Sequence, residues 1–424
     1  MEPRGFSPGV GGGDTHTMNR VVLAYAGGLD TSVAVPWLAE QYGAEVVCVT
    51  LDLGQGKDLQ SVRERALAAG AIRAHVLDAR EEFAERYILP ALQADAVYEG
   101  RYPLATALGR PLIAKKLVEI ARIEGANAIA HGCSGKGNDQ VRIEVSARAL
   151  MPGLRVIAPY RESGMSSEAK IAFARGHGIP VPSAASSPYS IDANLWGRSI
   201  QRGILEDPWV EPPAGLFALT RDQRQCPDEP AYIELQFERG VPVAVNGVAM
   251  PFMDVIASVG TIAGDHGVGR IDMIENRLVG IKTREVYEAP AAVVLHLAHA
   301  DLEGFVSPRD LQRVKHEMAA RYADMVYDGA WHSPVRDAMD AFVAKVQDRV
   351  TGALRVKLFK GSAQVVGRKS PFALYDLGLA TYGEGDTFDH GAAAGFIRLH
   401  GLPIETAARM YGPGGAPASP GKAD

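Results

Sequence analysis

No apolar run in the 424-residue sequence approaches the ~20 residues that a membrane-spanning helix needs. The opening stretch, MEPRGFSPGVGGGDTHT, lacks an apolar core segment, which excludes a secretory signal of the ordinary kind. Cysteine is scarce. Cys48, Cys133 and Cys226 lie far apart, match no C-x-x-C metal or redox spacing, and as three cannot close a disulfide framework. An excess of basic charge is missing too: the formal net charge is −6, which argues against a general nucleic-acid binder. No internal repeat recurs at a fixed period. These absences point to a reducing, cytoplasmic compartment, with neither membrane nor nucleic acid among the partners.

What the sequence does have is ordinary for a globular protein with a real core, 47% hydrophobic and 22% charged residues. The length suggests two domains plus tails. Residues 1–17 read as a disordered leader and the stretch from Gly412 as a disordered tail. From Val21 onward short apolar runs alternate with helix-period segments. Strands are expected at Val21–Tyr25, Val46–Leu51, His75–Leu77, Ala126–His131 and Leu154–Ala158. Helices are expected at Ser61–Ala69, Glu81–Ala94, Pro111–Glu124, Val141–Leu150 and Ser167–His177.

That alternation implies an α/β fold, a parallel sheet covered by helices, with ligands at the carboxyl ends of its strands. The rhythm changes after a Ser/Pro-dense loop, Pro180–Pro188. Ile233, Leu235 and Phe237 alternate, then Val241, Val243 and Val245, as a hairpin with one buried face would. A second pair of runs, Arg355–Phe359 and Gln364–Gly367, and helical segments at Pro251–Ala263, Ala291–Leu302, Arg309–Tyr327 and Val335–Val350 complete an α+β half. The expected domains are therefore 18–185 and 186–385, with a C-terminal extension over 386–424.

The most informative stretch is Val21-Val-Leu-Ala-Tyr-Ala-Gly-Gly-Leu-Asp-Thr-Ser32. A buried strand ends at Gly27–Gly28, and Asp30, Thr31 and Ser32 open a helix. Two glycines let backbone N–H groups approach an anion, the helix N-terminus adds partial positive charge, and the hydroxyls can donate to phosphate oxygens. This makes a pyrophosphate cradle without a lysine. An ordinary strand–turn–helix corner capped by Asp30 remains the plainer reading of the same spacing. The G-x-x-x-x-G-K-[ST] loop is absent, because Gly132 to Gly137 is followed by Asn138, and no G-x-G-x-x-G follows the first strand. Pro36, early in the helix, predicts a local distortion.

AYAGGLDTS resembles the S-G-G-L-D-T-S loop of the ATP-pyrophosphatase group, and specifically the argininosuccinate synthase family. His131-Gly-Cys-Ser-Gly-Lys-Gly-Asn-Asp-Gln-Val-Arg142 is similar to that family's H-G-A-T-G-K-G-N-D-Q-V-R. Pro188–Asn194, His266–Asp272, Glu275–Arg277 and Val286–Glu288 match in order, so the resemblance runs from about Arg20 to about Leu399.

The resemblance implies a nucleotide-binding domain joined to a synthetase domain, and a two-step ligation. Citrulline is first adenylated by ATP, releasing pyrophosphate; aspartate then displaces AMP to give argininosuccinate. It implies ATP as substrate with Mg²⁺ carried on its phosphates, no dedicated protein metal site, and a homotetramer. ATP would lie along Ala24, Tyr25, Ala26, Gly27, Gly28, Leu29, Asp30, Thr31 and Ser32, with Leu51 and Gly132. Tyr102, Ala107, Asn138, Arg142, Ser190, Ser199, Glu275 and Tyr287 would surround citrulline, and Ser134, Asn138 and Asp139 would face aspartate. Asp30, Asp139 and Arg142 are the catalytic candidates. Lys136, in its Gly-rich loop, is either a phosphate contact or merely exposed, and His131 reads as structural.

Three departures bear on this. Ala26 stands where the family has Ser, removing one hydroxyl near the phosphates. Ala107 stands where a citrulline-contacting Ser is expected, which bears on substrate identity. The segment after Leu399, Gly401-Leu-Pro-Ile-Glu-Thr, replaces a longer basic helix that serves assembly in the family. They leave open a paralogue acting on another ureido acid and a non-catalytic nucleotide binder. A tRNA-modifying relative is disfavoured by the charge and the scattered cysteines.

Overall fold

The computed structural model describes residues 19–56, 58–180 and 188–412. The expected leader, the boundary at 185/186 and the tail beyond Gly412 lie outside these residues. The chain divides into two compact units, Met1–Phe372 and Ala373–Asp424, so the break falls ahead of the extension expected from 386.

In the first unit, strands β1 (Arg20–Ala24), β2 (Glu45–Asp52), β3 (Arg73–Asp78), β4 (Ala128–Ala130) and β5 (Arg155–Ile157) form a parallel sheet in the order β3-β2-β1-β4-β5. Val21, Val22 and Leu23 are wholly buried, as a central strand covered on both faces requires. Helices α1 (Leu29–Tyr42), α2 (Leu59–Ala68), α3 (Arg80–Phe83), α4 (Leu89–Ala94), α5 (Ala105–Ile123), α6 (Asp139–Leu150), α7 (Pro159–Ser163) and α8 (Ser167–Gly176) connect or flank the strands. The strand order reverses between β1 and β4, so the turns leaving these two strands flank one crevice.

Three local expectations change. The helix expected from Pro111 begins at Ala105, after Leu104 in the left-handed region at φ 63°, and carries Pro111 inside it. Proline is favoured at a helix start, which is why it read as one. α1 runs through Pro36 without a break. A π-helical turn, Ala84–Ile88, also separates α3 from α4 within the stretch expected as one helix.

The rest of the unit holds two antiparallel sheets. One is β10 (Val248–Ala249), β9 (Val241–Val245), β8 (Ala231–Glu238), β13 (Gly352–Phe359) and β14 (Ser362–Lys369), in that spatial order. It contains the hairpin expected from the Ile233-Leu235-Phe237 alternation, and those three side chains are buried. The other is β11 (Arg270–Asn276), β12 (Lys282–Glu288), β7 (Gly197–Gln201) and β6 (Ser190–Asn194). Helices α9 (Phe252–Asp265), α10 (Pro290–Val306), α11 (Arg309–Tyr327) and α12 (Pro334–Gln347) complete the unit. The second unit contains α13 (Leu377–Ala380) and α14 (His390–Tyr411), a 22-residue helix that includes Pro403.

Candidate active site

A cleft of about 1250 Å³ opens at the carboxyl ends of β1 and β4. Its walls come from the turn after β4, the first turns of α1, α5 and α6, and the inner face of the β11-β12-β7-β6 sheet. Of the residues singled out from the sequence, it brings together Asp30, Tyr102, Gly132, Ser134, Asn138, Asp139, Arg142, Ser190, Ser199, Glu275 and Tyr287. They come from seven segments spread over more than half the chain.

At the β1–α1 corner Gly27 has φ 75°, and a methyl there would stand 2.9 Å from Arg65 Nη2. The positive φ is what calls for glycine, since Arg65 could swing its guanidinium aside. Gly28 is the N-cap residue of α1, and no side chain caps the helix. The first-turn N–H groups are thus left without a side-chain acceptor, the arrangement that receives an anion. Asp30 is not the cap. Its carboxylate pairs with Lys170 of α8 at 2.7 Å, and the Lys170 ammonium sits 3.4 Å from the Tyr160 ring centroid. The cradle therefore has a lysine beside it after all, supplied from outside its own loop.

Several expected contacts lie behind the surface of the cleft. The Thr31 hydroxyl donates to Gly28 O at 3.2 Å, and Ser32 Oγ bonds Tyr25 Oη at 2.8 Å, so both hydroxyls are already engaged within the corner. Tyr25 and Leu51 are buried, and Ala24 ends β1 outside the cleft lining. Ala26, Gly28 and Leu29 stand outside the lining as well. Ala107 is fully buried in the core, so its side chain does not reach the cleft; Thr106 does, with Oγ1 3.3 Å from Ser199 Oγ. A departure that bore on the substrate in the sequence is a core position in the fold.

The second loop is held from the opposite wall. His131 Nδ1 accepts from the Cys133 N–H at 3.2 Å and its Nε2 lies 3.3 Å from Glu144, a structural role as expected from the sequence. Lys136 is exposed, and its carbonyl accepts from Arg277 Nη1 at 3.1 Å. Asn138 Oδ1 accepts from the Leu278 N–H at 3.0 Å. The β11–β12 hairpin thereby clamps the Gly-rich turn.

Charge is concentrated deeper in. Arg142, only 4% exposed, donates through Nε to Tyr327 O at 2.8 Å and through Nη1 to Asp139 at 2.9 Å; its buried Nη2 has no partner among the described residues. Arg110, which sequence reasoning passed over just ahead of the expected helix Pro111–Glu124, bridges Asp139 at 2.9 Å and Asp192. Burial pushes the Asp139 carboxyl up, but Arg110 and Arg142 outweigh it and hold it at about 2. Glu275 accepts from the Tyr287 and Tyr327 hydroxyls at 2.7 and 2.9 Å, and burial raises it against those donors. Glu285, paired with Arg277, is pushed up to about 7 by burial and by the neighbouring Glu275 charge. Cys133, also in the lining, is pushed up to about 12 by burial and by Asp139, which disfavours a reactive thiolate. Among the described residues no group of three or more His, Cys, Asp or Glu side chains could hold a metal.

An anion cradle facing a deep pocket of mixed charge suits a phosphate-bearing molecule met by a polar one. Comparison with known proteins agrees. Residues 20–180 match the model of the arginosuccinate synthase N-terminal HUP domain, and residues 189–407 that of the arginosuccinate synthase C-terminal domain. The chain belongs to the argininosuccinate synthase family. It is 57% identical to the argininosuccinate synthase of Gloeobacter violaceus over 92% of this chain and 98% of that one. It is 54% identical to that of Oceanobacillus iheyensis, covering 94% and 96%, and 58% identical to that of Geobacillus thermodenitrificans, covering 91% and 95%. The first match takes in the parallel-sheet half of the chain and the second the half with the antiparallel sheets.

Proposed function

We propose that this cleft ligates citrulline to aspartate at the expense of ATP, forming argininosuccinate for arginine biosynthesis. The observation that carries the reading is the Arg142 guanidinium, anchored by Asp139 and Tyr327 while its buried Nη2 has no acceptor among the described residues. A buried donor of that kind calls for an oxygen from a ligand.

MgATP enters as substrate, its phosphates against the uncapped N-terminus of α1 and its nucleoside along Gly132. The ureido oxygen of citrulline attacks the α-phosphorus, an O–P bond forms, and the bond to the departing pyrophosphate breaks. Negative charge grows on oxygens facing Arg142, whose fixed position costs no reorganisation. The aspartate amine, as the free base, then attacks the ureido carbon, the C–O bond to AMP breaks, and the nitrogen gives up one proton to the departing phosphate or solvent while keeping the other as a guanidino N–H. Asp139, ionised throughout the neutral range, accepts from the amine and orients it, with Ser134 and Asn138 donating to its carboxylates. Tyr102, Ser190, Ser199, Glu275 and Tyr287 frame the citrulline. No side-chain nucleophile is required, because positioning and charge carry the chemistry.

The protein works in the cytoplasm as a homotetramer in this reading. The exposed apolar residues of α14, among them Phe396, Ile397, Leu399 and Ile404, support an assembly role.

The test is release of AMP and pyrophosphate from ATP, Mg²⁺, citrulline and aspartate, with each substrate omitted in turn. Release that needs both amino acids, with argininosuccinate as product, is the expected result. Release independent of citrulline, or none at all, overturns it.

A further inference from the structure

We infer that Tyr327, which is 1% exposed and lies behind the cleft lining, is a positioning residue that sets the orientation and charge of the citrulline-facing groups together. This rests on the assignment of Asn138, Arg142 and Glu275 to that substrate.

Hydrogen-bond direction carries the argument. Asn138 Oδ1 accepts from the Leu278 N–H, so the other end of its amide, Nδ2, points to Tyr327 and donates to its phenol oxygen at 2.7 Å. A phenol has one proton. With its oxygen already accepting from Asn138, that proton goes to Glu275 Oε1, 2.9 Å away. Tyr287 donates to the other oxygen, Oε2, at 2.7 Å. Glu275 thus receives a phenol hydrogen bond on each oxygen, and these donors favour its carboxylate form, an acceptor for the ureido N–H groups, against the burial that raises it.

The same residue fixes Arg142. Tyr327 ends α11, and its carbonyl is one of the last-turn acceptors that a helix leaves open. Arg142 Nε occupies it, and the guanidinium carbon lies 4.7 Å from the Tyr327 ring centroid. Gly329, at φ 80°, lets the chain leave α11 with the missing Cβ position only 2.7 Å from Arg142 Cα. The ring itself is pinned by stacking on Tyr98 at 3.6 Å between centroids.

Around Glu275 stand Arg142 from α6, Arg277 and Glu285 from the β11–β12 hairpin, and the phenols of Tyr98, Tyr102, Tyr287 and Tyr327. Of these, Tyr287 and Tyr327 donate hydrogen bonds to it. Removing one donor disfavours the carboxylate and raises its pKa.

The experiment is the pH profile of kcat/KM for citrulline in Tyr327→Phe, which keeps the stacked ring. Expected are a loss of about tenfold and an acid limb displaced upward by about one pH unit, with the KM for ATP unmoved. A second variant carries 3-fluorotyrosine at 327, a stronger donor, and its limb moves to lower pH, opposite in sign. A merely structural role would lower kcat at all pH values alike. That result, or a wild-type limb in both variants, overturns the inference. Glu275→Gln separates the two levels: if it leaves citrulline KM unchanged, the site assignment fails; if it raises that KM while the Tyr327 variants match wild type, only the role of Tyr327 fails.

Discussion

Lys170 reaches Asp30 across 140 positions of sequence, placing its ammonium 2.7 Å from a carboxylate in the first turn of α1. An acidic side chain there is favoured by the helix dipole but repels incoming phosphates. Lys170, on α8 and only 8% exposed in its side chain, offsets that charge without belonging to the loop. Lys170→Met is expected to raise the KM for ATP by about fivefold, a modest effect because Asp30 is half exposed and screened. Lys170→Arg retains most of the affinity, and citrulline KM stays put in both. Equal shifts in the two KM values would refute the assignment.

Thr106 and Ala107 are adjacent on α5 but face different environments. Restoring a hydroxyl at the buried position, Ala107→Ser, is expected to leave citrulline KM unchanged and to cost stability, about 1–3 kcal/mol if the hydroxyl finds no partner. Thr106→Val keeps the shape and deletes the oxygen beside Ser199, so it raises citrulline KM by several-fold. Steady-state kinetics and urea unfolding of the two variants decide between the positions. A gain in citrulline affinity from Ala107→Ser would restore residue 107 to the site.

The β1–α1 corner was legible because a buried strand, two glycines and a helix start are contiguous in sequence. The four strands lining the cleft were not. Asp192, Arg198, Asp272, Arg284 and Glu285 interrupt them on both faces of the sheet, Asp192 and Glu285 on the face of Ser199 and Tyr287 and the other three on the opposite face, so the sequence shows no clean apolar alternation. The motifs within these strands still named Ser190, Ser199, Glu275 and Tyr287. Lys170, Arg110 and Tyr327 left no local sign. Lys170 and Tyr327 sit in helices expected from the sequence, Arg110 just ahead of one, and the partner of each lies on another element. Tyr327 is only the end of the expected helix Arg309–Tyr327, yet its hydroxyl and carbonyl are what the site uses.

α14 exposes Phe396 and Ile397 at 65% and 66%, alongside Leu399 and Ile404. A lone helix has little reason to keep such side chains in water unless another surface covers them. Phe396→Glu with Ile397→Glu is expected to lower the solution mass of the protein, read by light scattering, while far-ultraviolet dichroism stays near wild type. An unchanged mass would remove this helix from the assembly contact.

Glu285 gives stability a pH dependence whose sign is fixed by its surroundings. Burial, with the Glu275 charge behind it, moves its carboxyl from the ordinary 4.5 to about 7 in the fold. Between those values the native state keeps a proton that the unfolded chain has lost, so stability from this group falls as pH rises and levels off above about 7. The full swing is of order 3 kcal/mol. Glu285→Gln cannot ionise and lacks this component. Urea midpoints at pH 5 and pH 8 should therefore show wild type losing ground to Glu285→Gln on going to the higher pH. No difference in slope between the two proteins would mean that Arg277, 2.5 Å away, dominates and keeps Glu285 charged at both.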